Sequence, residues 1–385
     1  MIRYGPAGIP LSCKGRTLKD GIEDIHSLAL TAMEIQMVRP NTEFRAPEDE
    51  EIGKSLKELD SDSGFVIAVD KGEDGISYDP DLPIGEEDNL LFMRYCLAPC
   101  YNDLYSLGRM AKRHDVALSA HTPYYMALDG DLFGNEEESA DPDEMPEETP
   151  AMRSFTILQN CGAVLNALGG DLVVTNLGPY GDDNPKHAKS RIVSNLKELK
   201  RWWKSEGLTP RIGLEVTGNS NVWGSLEELL DICGTRDLKG FVYPVLNFAH
   251  YQARTKDSLS EAEDYYSLIE QFEPFYKGFG NIYADFSNVE SDGEGNEKWY
   301  TPIKKGEIKF EKVAEALAEH MPEITMISNS PLLEHDAVYM RTLTERVLSK
   351  KAAKQLKEKR KELQAEAVAD GELAPADPND KSDSE

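Results

Sequence analysis

Eight short apolar runs of strand length recur along the chain: IRYGP from Ile2, AMEIQMV from Ala32, VALSAH from Val116, DLVVTN from Asp171, RIGLEV from Arg211, FVYPVLN from Phe241, NIYADF from Asn281 and ITMISN from Ile324. They are rich in Val and Ile and apolar on successive residues rather than alternate ones, the pattern of strands buried on both faces. Helix-length stretches lie between them, among them TLKDGIEDIHSLAL, RSFTILQNCGAVLNALGG and SLEELLDICG. Ser225 with Glu228 three residues later reads as a helix start, and Gly234 as its stop. Such alternation predicts parallel βαβ units, and eight repeats favour a closed (β/α)8 barrel over a doubly wound sheet.

Six of the runs end in a polar side chain of the kind that binds metal or moves protons: His121, Asn176, Glu215, Asn247, Asp285 and Asn329. A (β/α)8 barrel assembles its site from such positions, at the carboxyl-terminal mouth of its strands. Three of the six are asparagine, which bears no charge and titrates no proton.

The chain has 385 residues, and a barrel of this class takes about 250. We assign residues 1–340 to the barrel and the surplus to decorations. Residues 41–100 separate the second and third strands with turn-rich polar stretches around one more apolar run, GFVIAV, an extra strand or part of a small excursion domain. This insertion leaves from the rim that carries the strand-end residues and is expected to reach over it. Residues 135–149 hold eight acidic side chains and no basic one and read as a solvated loop. Residues 341–367 read as a charged helix, and 368–385 as an acidic, disordered tail.

A net charge of −28 argues against the whole surface meeting nucleic acid, whose affinity comes largely from neutralised phosphates. Locally, Lys350 to Lys361 carries seven basic residues against one acid, Glu358. That helix either is solvated, docks on an acidic surface, or contacts nucleic acid. The five cysteines, Cys13, Cys96, Cys100, Cys161 and Cys233, show no regular spacing, which fits free thiols in a reducing cytoplasm. Cys96 and Cys100 would share a face if their segment were helical. No run approaches the roughly 20 apolar residues of a membrane span, and no membrane partner is expected.

The segments GPAGIPLSCKGRTLKDGI, LSAHTPYYMAL, LEVTGNSNVWGSLEEL, NFAHYQAR and ISNSPLLEHDAVYM, in that order, resemble the endonuclease IV group of TIM-barrel proteins, especially its archaeal-type branch, and through it the xylose isomerase-like sugar isomerases and epimerases. The resemblance implies three zinc ions held at the mouth, which bind DNA at an abasic site and cleave its backbone. On this chain His121, Glu215 and His250 match family ligands. Asn176, Asn247, Asp285 and Asn329 stand where a histidine, an aspartate, a histidine and a glutamate are expected. A further Asp-x-His pair falls on Lys298 and Tyr300.

Zinc prefers imidazole, thiolate or carboxylate, and an amide leaves its charge uncompensated. A trinuclear zinc endonuclease is therefore not expected, and neither is a resident cofactor. Any metal would be a single divalent cation, Zn2+, Mn2+ or Mg2+, on His121, Glu215, His250 and Asp285. In an isomerase-like variant, Glu215, Asn247, Asp285 and Asn329 would hold a weak oxygen-ligated ion. Glu215 is the one natural candidate for a catalytic acid–base group. Tyr124, Tyr180 and Trp223, with Tyr125 and Tyr300, are candidates to stack on a ligand.

The favoured reading is a catalytically degenerate barrel, kept as a binding module for nucleic acid, a phosphorylated ligand or a protein at its mouth. A divergent metal-dependent hydrolase of abasic-site DNA and a sugar isomerase or epimerase with one weak metal site are the alternatives.

Overall fold

The structure, a computed structural model, describes residues 1–59, 64–132, 148–181, 184–256 and 259–369, with side chains to 364. Most of the 135–149 loop, and the tail from 370, lie outside the described residues. Eight parallel strands form the central sheet: β1 (Ile2–Pro6), β2 (Ala32–Gln36), β3 (Ala117–His121), β4 (Leu172–Thr175), β5 (Arg211–Glu215), β6 (Val242–Asn247), β7 (Ile282–Phe286) and β8 (Ile324–Ser328). Each pairs with its sequence neighbour from β2 through to β7, β7 with β8, and β8 with β1. The seam between β1 and β2 closes through an Ala7–Glu34 bridge and a bond from the Thr31 N–H to the Tyr4 carbonyl at 3.0 Å.

That seam depends on Gly5, where an added Cβ would lie 1.8 Å from the Ala32 carbonyl oxygen. The two backbones meet too closely for any side chain, which is a use to which a strand glycine is suited. Strands β4 to β8 are buried throughout apart from Arg211 at the start of β5, as their unbroken apolar runs require. Register sets Glu215 beside Val245 and Asn247 beside Asp285, so the polar ends of β5, β6 and β7 lie together.

The insertion forms a four-stranded antiparallel sheet in the order Glu43–Arg45, Asn89–Met93, Phe65–Asp70, Ile76–Ser77. GFVIAV supplies its Phe65–Asp70 strand, and it packs on the barrel's flank. Tyr101, on the helix Tyr101–Arg113, donates to the Ile67 carbonyl at 2.8 Å. Tyr78 donates to Asn160, on the helix Pro150–Ala167, at 2.9 Å and lies edge-on to Trp202. These contacts correct the expectation that the insertion covers the mouth, because the apolar faces of the sheet are satisfied by the outer helices. Cys100 caps the helix Tyr101–Arg113 and Cys96 precedes it, so the two do not share a helical face. All five cysteines are free.

The charged helix begins earlier than its charge suggests and runs Glu334–Ala369. Its first turns belong to the barrel. Glu334 accepts the Leu11 and Ser12 N–H groups at 2.8 and 3.0 Å, and Thr344 bonds Tyr4 at 2.7 Å. Beyond Lys351, which pairs with Glu319 at 2.9 Å, the described side chains are exposed.

Candidate functional site

Asn247 is the last residue of β6 and the N-cap of the helix Phe248–Thr255. Its Oδ1 accepts the His250 N–H at 3.1 Å, which directs its Nδ2 at Glu215 Oε1, 2.8 Å away. The amide thus serves a helix end and a carboxylate at once. An aspartate here would cap equally well but would set two buried carboxylates face to face.

Both histidines lie against Glu215. His121 donates from Nδ1 to the Thr122 carbonyl at 2.6 Å and from Nε2 to Glu215 Oε2 at 3.3 Å. His250 donates from Nδ1 to the Val216 carbonyl at 2.8 Å, while its Nε2 faces Tyr300 Oη at 2.6 Å and Glu297 Oε2 at 2.8 Å. Burial pushes each imidazole down. For His121 the hydrogen bond and charge of Glu215, with Glu34 behind, outweigh burial and raise it to about 9. For His250 the charges of Glu297 and Glu215 do the same, again to about 9. Burial pushes Glu215 up, but His250, His121 and Asn247 draw it down to about 2. The result is a carboxylate between two imidazolium ions, each with both nitrogens committed as donors.

Glu297 and Tyr300 come from the hairpin of Asn288–Ser291 and Glu297–Thr301. The register slips between Glu290 and Ser291, so that Trp299 and Glu297 are paired while Lys298 is the extra residue. This bulge turns Glu297 and Tyr300, three apart, to the same side. It also corrects the sequence assignment of Lys298, which is exposed outside the ring. Tyr300 is in the ring, with its hydroxyl 3.4 Å from Asn247 Nδ2 and hydrogen-bonded by Asn329.

Below this layer lie residues that the reading of strand ends missed. Glu34, on β2, is fully buried and accepts from Tyr283 at 3.0 Å and from Gln36 at 2.7 Å. Burial raises it, as does Glu215, against the lowering charge of His121. The available signal was a carboxylate inside the apolar run AMEIQMV. Asp285 is also fully buried, and its carboxyl faces the Glu215 carboxylate. Burial first, then Glu34 and Glu215, raise it well above the usual carboxylate range. Asn176 Oδ1, Asn329 Oδ1 and Ser328 Oγ, at the ends of β4 and β8, are buried without a partner.

The aromatic candidates separate. Tyr124 is 63% exposed, with its ring over His121 and its hydroxyl reaching Tyr300. Tyr125 is exposed as well. Tyr180 is half-buried and engaged by Glu228 at 2.6 Å and Arg254 at 3.0 Å. Trp223 is only 3% exposed and packs on Tyr180, which corrects its assignment as a ligand-facing ring.

This donor set does not fit three zinc ions. The lone pairs that imidazole would give a metal are used up in N–H bonds, and Asn247 offers Glu215 an N–H where a cation would offer charge. In the weaker oxygen site, Asn247 Oδ1 already accepts the His250 N–H of the helix cap. Among the described residues no three His, Cys, Asp or Glu side chains converge as a metal-binding group. A cleft of about 600 Å³ lies at the other end of the barrel, lined by Arg3, Lys112, Asp115 and Asp171 among others, away from this chemistry.

The sequence model of the xylose isomerase-like TIM barrel matches residues 96–331. An uncharacterized protein of Methanocaldococcus jannaschii is 25% identical over 228 residues, 59% of this chain and 76% of that one. Endonuclease IV from Thermus thermophilus superposes with a TM-score of 0.54 at 14% identity, over 90% of this chain and 99% of that one. An L-ribulose 3-epimerase superposes with a TM-score of 0.51 at 13% identity, over 92% and 97%.

Proposed function

Since this chain belongs to the xylose isomerase-like TIM-barrel family, we propose that its barrel mouth is a binding site for an uncharged, hydroxyl-rich molecule, a sugar or polyol, in a barrel whose zinc-dependent phosphodiester chemistry has been lost. The observation that carries this reading is the pair of unpartnered buried amide oxygens on Asn176 and Asn329, with the buried Asp285 carboxyl between them facing only the Glu215 carboxylate. A buried acceptor without a donor costs about 1–3 kcal/mol, so a ligand that supplies O–H groups relieves a cost the fold carries. A phosphodiester offers acceptors only, and a phosphate near neutral pH is mainly an acceptor with a net negative charge. Among the described residues no lysine or arginine donates into the ring; Arg254 instead binds Thr217, Tyr180 and the carbonyls of Asn219 and Val222. Of the binding readings drawn from the sequence, the geometry favours neither a phosphorylated ligand nor a phosphodiester backbone at this position.

The test is calorimetric titration of the purified protein with ribitol, D-xylose and L-ribulose, alongside inorganic phosphate and an abasic-site duplex. Saturable binding of a polyol or sugar, lost in Asp285→Leu, is expected. Saturable binding of phosphate or the duplex at the mouth, with none of the three hydroxylated compounds, would refute the reading.

A second reading has one observation in its favour: Asp285 and Glu215 are shifted in opposite directions, the arrangement of an acid beside a base. It adds proton transfer on the bound sugar, which deuterium uptake from heavy water into a sugar C–H position would reveal without knowledge of the product.

A further inference from the structure

Asn329 at the end of β8 is partly exposed, but the other ring members that the hairpin faces, Glu215, Asn247, His250 and Asp285, are each no more than 2% exposed. A ligand therefore reaches them only if something moves, and the contacts of the Asn288–Thr301 hairpin identify the mover. Its base is fixed. Asn288 donates to the carbonyls of Ile303 and Ile308 at 2.8 and 3.1 Å, accepts the Ile308 N–H at 3.1 Å, and is fully packed. Its far end is held by polar bonds at the surface, from Glu297 N–H to the Gly218 carbonyl at 2.8 Å, from Ser220 N–H to the Gly295 carbonyl at 3.1 Å, and from Ser220 Oγ to Asn296 Oδ1 at 2.9 Å. Trp299, facing outward, is 57% exposed. Surface bonds of this kind open at low cost, whereas packed bases do not.

What reaches inward is polar too. Tyr300 places a hydroxyl 2.6 Å from His250 Nε2, 3.4 Å from Asn247 Nδ2 and in hydrogen-bond contact with Asn329 and Tyr124. Glu297 adds its carboxylate 2.8 Å from the same His250 nitrogen. A hydroxyl that takes hydrogen bonds from two strand ends and a ring histidine is chemically what a bound polyol would present there.

We propose that the Asn288–Thr301 hairpin is a displaceable cover and that the Tyr300 phenol is an internal occupant of the ring, which a ligand hydroxyl must replace on His250, Asn247 and Asn329. The inference rests on the reading of the mouth as a hydroxyl-binding site for its ligand, but not for the motion itself. Glu297 is the second latch, and the bulge at Lys298 is the device that lets one short strand deliver both side chains.

The two parts are tested separately. Hydrogen exchange followed by mass spectrometry, without ligand, compares the wild type with Tyr300→Phe, which keeps the ring and removes the hydroxyl, and with Glu297→Gln at the half-exposed rim. In both variants the amides of Glu297 and Ser220 are expected to exchange about tenfold faster or more, with the amides of β5 to β8 unchanged. Unchanged hairpin exchange in both variants, or faster exchange across the whole barrel, would overturn the cover. Calorimetry with ribitol then asks whether Tyr300→Phe binds about tenfold tighter than the wild type, as removal of an internal competitor requires. Weaker binding in Tyr300→Phe would make Tyr300 a ligand contact and overturn the competitor role. A loosened hairpin with no ribitol binding in either protein would leave the cover standing and refute the hydroxyl-binding mouth.

Discussion

Asp285 is the residue whose chemistry is least explained by stability. A fully buried carboxyl whose only hydrogen-bonding neighbour is the Glu215 carboxylate, with Glu34 also near, weakens the fold wherever it must ionise or stay protonated against solution pH. Its folded-state pKa is raised, so its relative contribution is fully present below the unfolded value and is lost as pH rises toward the folded one. Asp285→Asn is therefore expected to be more stable than the wild type at neutral pH, with the difference shrinking toward about pH 3, below the unfolded value, where both states bind the proton. Urea unfolding at the two pH values checks this; a wild type that is the more stable at neutral pH would contradict it. The histidines run with the same sign at higher pH. Raised from 6.5 to about 9, His121 and His250 contribute stability that is complete below 6.5 and is lost as pH rises through about 9. Glu215, lowered from 4.5 to about 2, contributes above 4.5 and loses it as pH falls through about 2. The ring is thus expected to hold best between 4.5 and 6.5. Imidazole resonances that titrate near their ordinary range would show that the ion triad does not form.

At the scale of elements, one residue governs barrel closure. A Cβ on Gly5 would overlap the Ala32 carbonyl at 1.8 Å, backbone against backbone, so neither side can yield by a rotamer change. Gly5→Ala is expected to lower stability by about 3 kcal/mol, the upper range for overpacking, and to be seen as a lower urea midpoint. An unchanged midpoint would mean that the β1–β2 seam contributes nothing. The insertion sheet, in contrast, is joined to the barrel by buried side chains. Tyr78, Tyr101 and Asn160 bond across the boundary, so the sheet buttresses three outer helices and stands apart from the ligand chemistry.

For the whole molecule, charge and donor chemistry point the same way. A net −28 discourages polyanions over most of the surface, and the exception, Lys350 to Lys361, lies on the helix that leaves the barrel. Within the ring, Glu215 and Glu297 lie against the imidazoles of His121 and His250, carboxylate against imidazolium. Protein exposed to zinc and then dialysed is expected to retain fewer than about one ion per chain by elemental analysis, because a catalytic zinc normally needs three committed protein ligands. Retention of one or more tightly held ions would show that the histidines give up their carboxylate partners for metal.

The sequence by itself determined the eight strands, their order and the polar residue at six of their ends, because strands buried on both faces must be apolar at every position and the exceptions stand out. It also determined that three of those ends are asparagine, a matter of residue identity alone. The tertiary structure decided what the Asn247 amide does. Only the cap on the helix after β6 shows that Asn247 must turn its N–H toward Glu215. Only the bulge shows that Glu297 and Tyr300, not Lys298, enter the ring, since one extra residue reverses the alternation on which register is read. Glu34 and Asp285 became neighbours only through barrel closure, which brings β2 and β7 to the same interior from opposite ends of the chain. A sequence records which side chains are available, but the direction of a hydrogen bond and the partner of a buried charge depend on contacts between residues hundreds of positions apart.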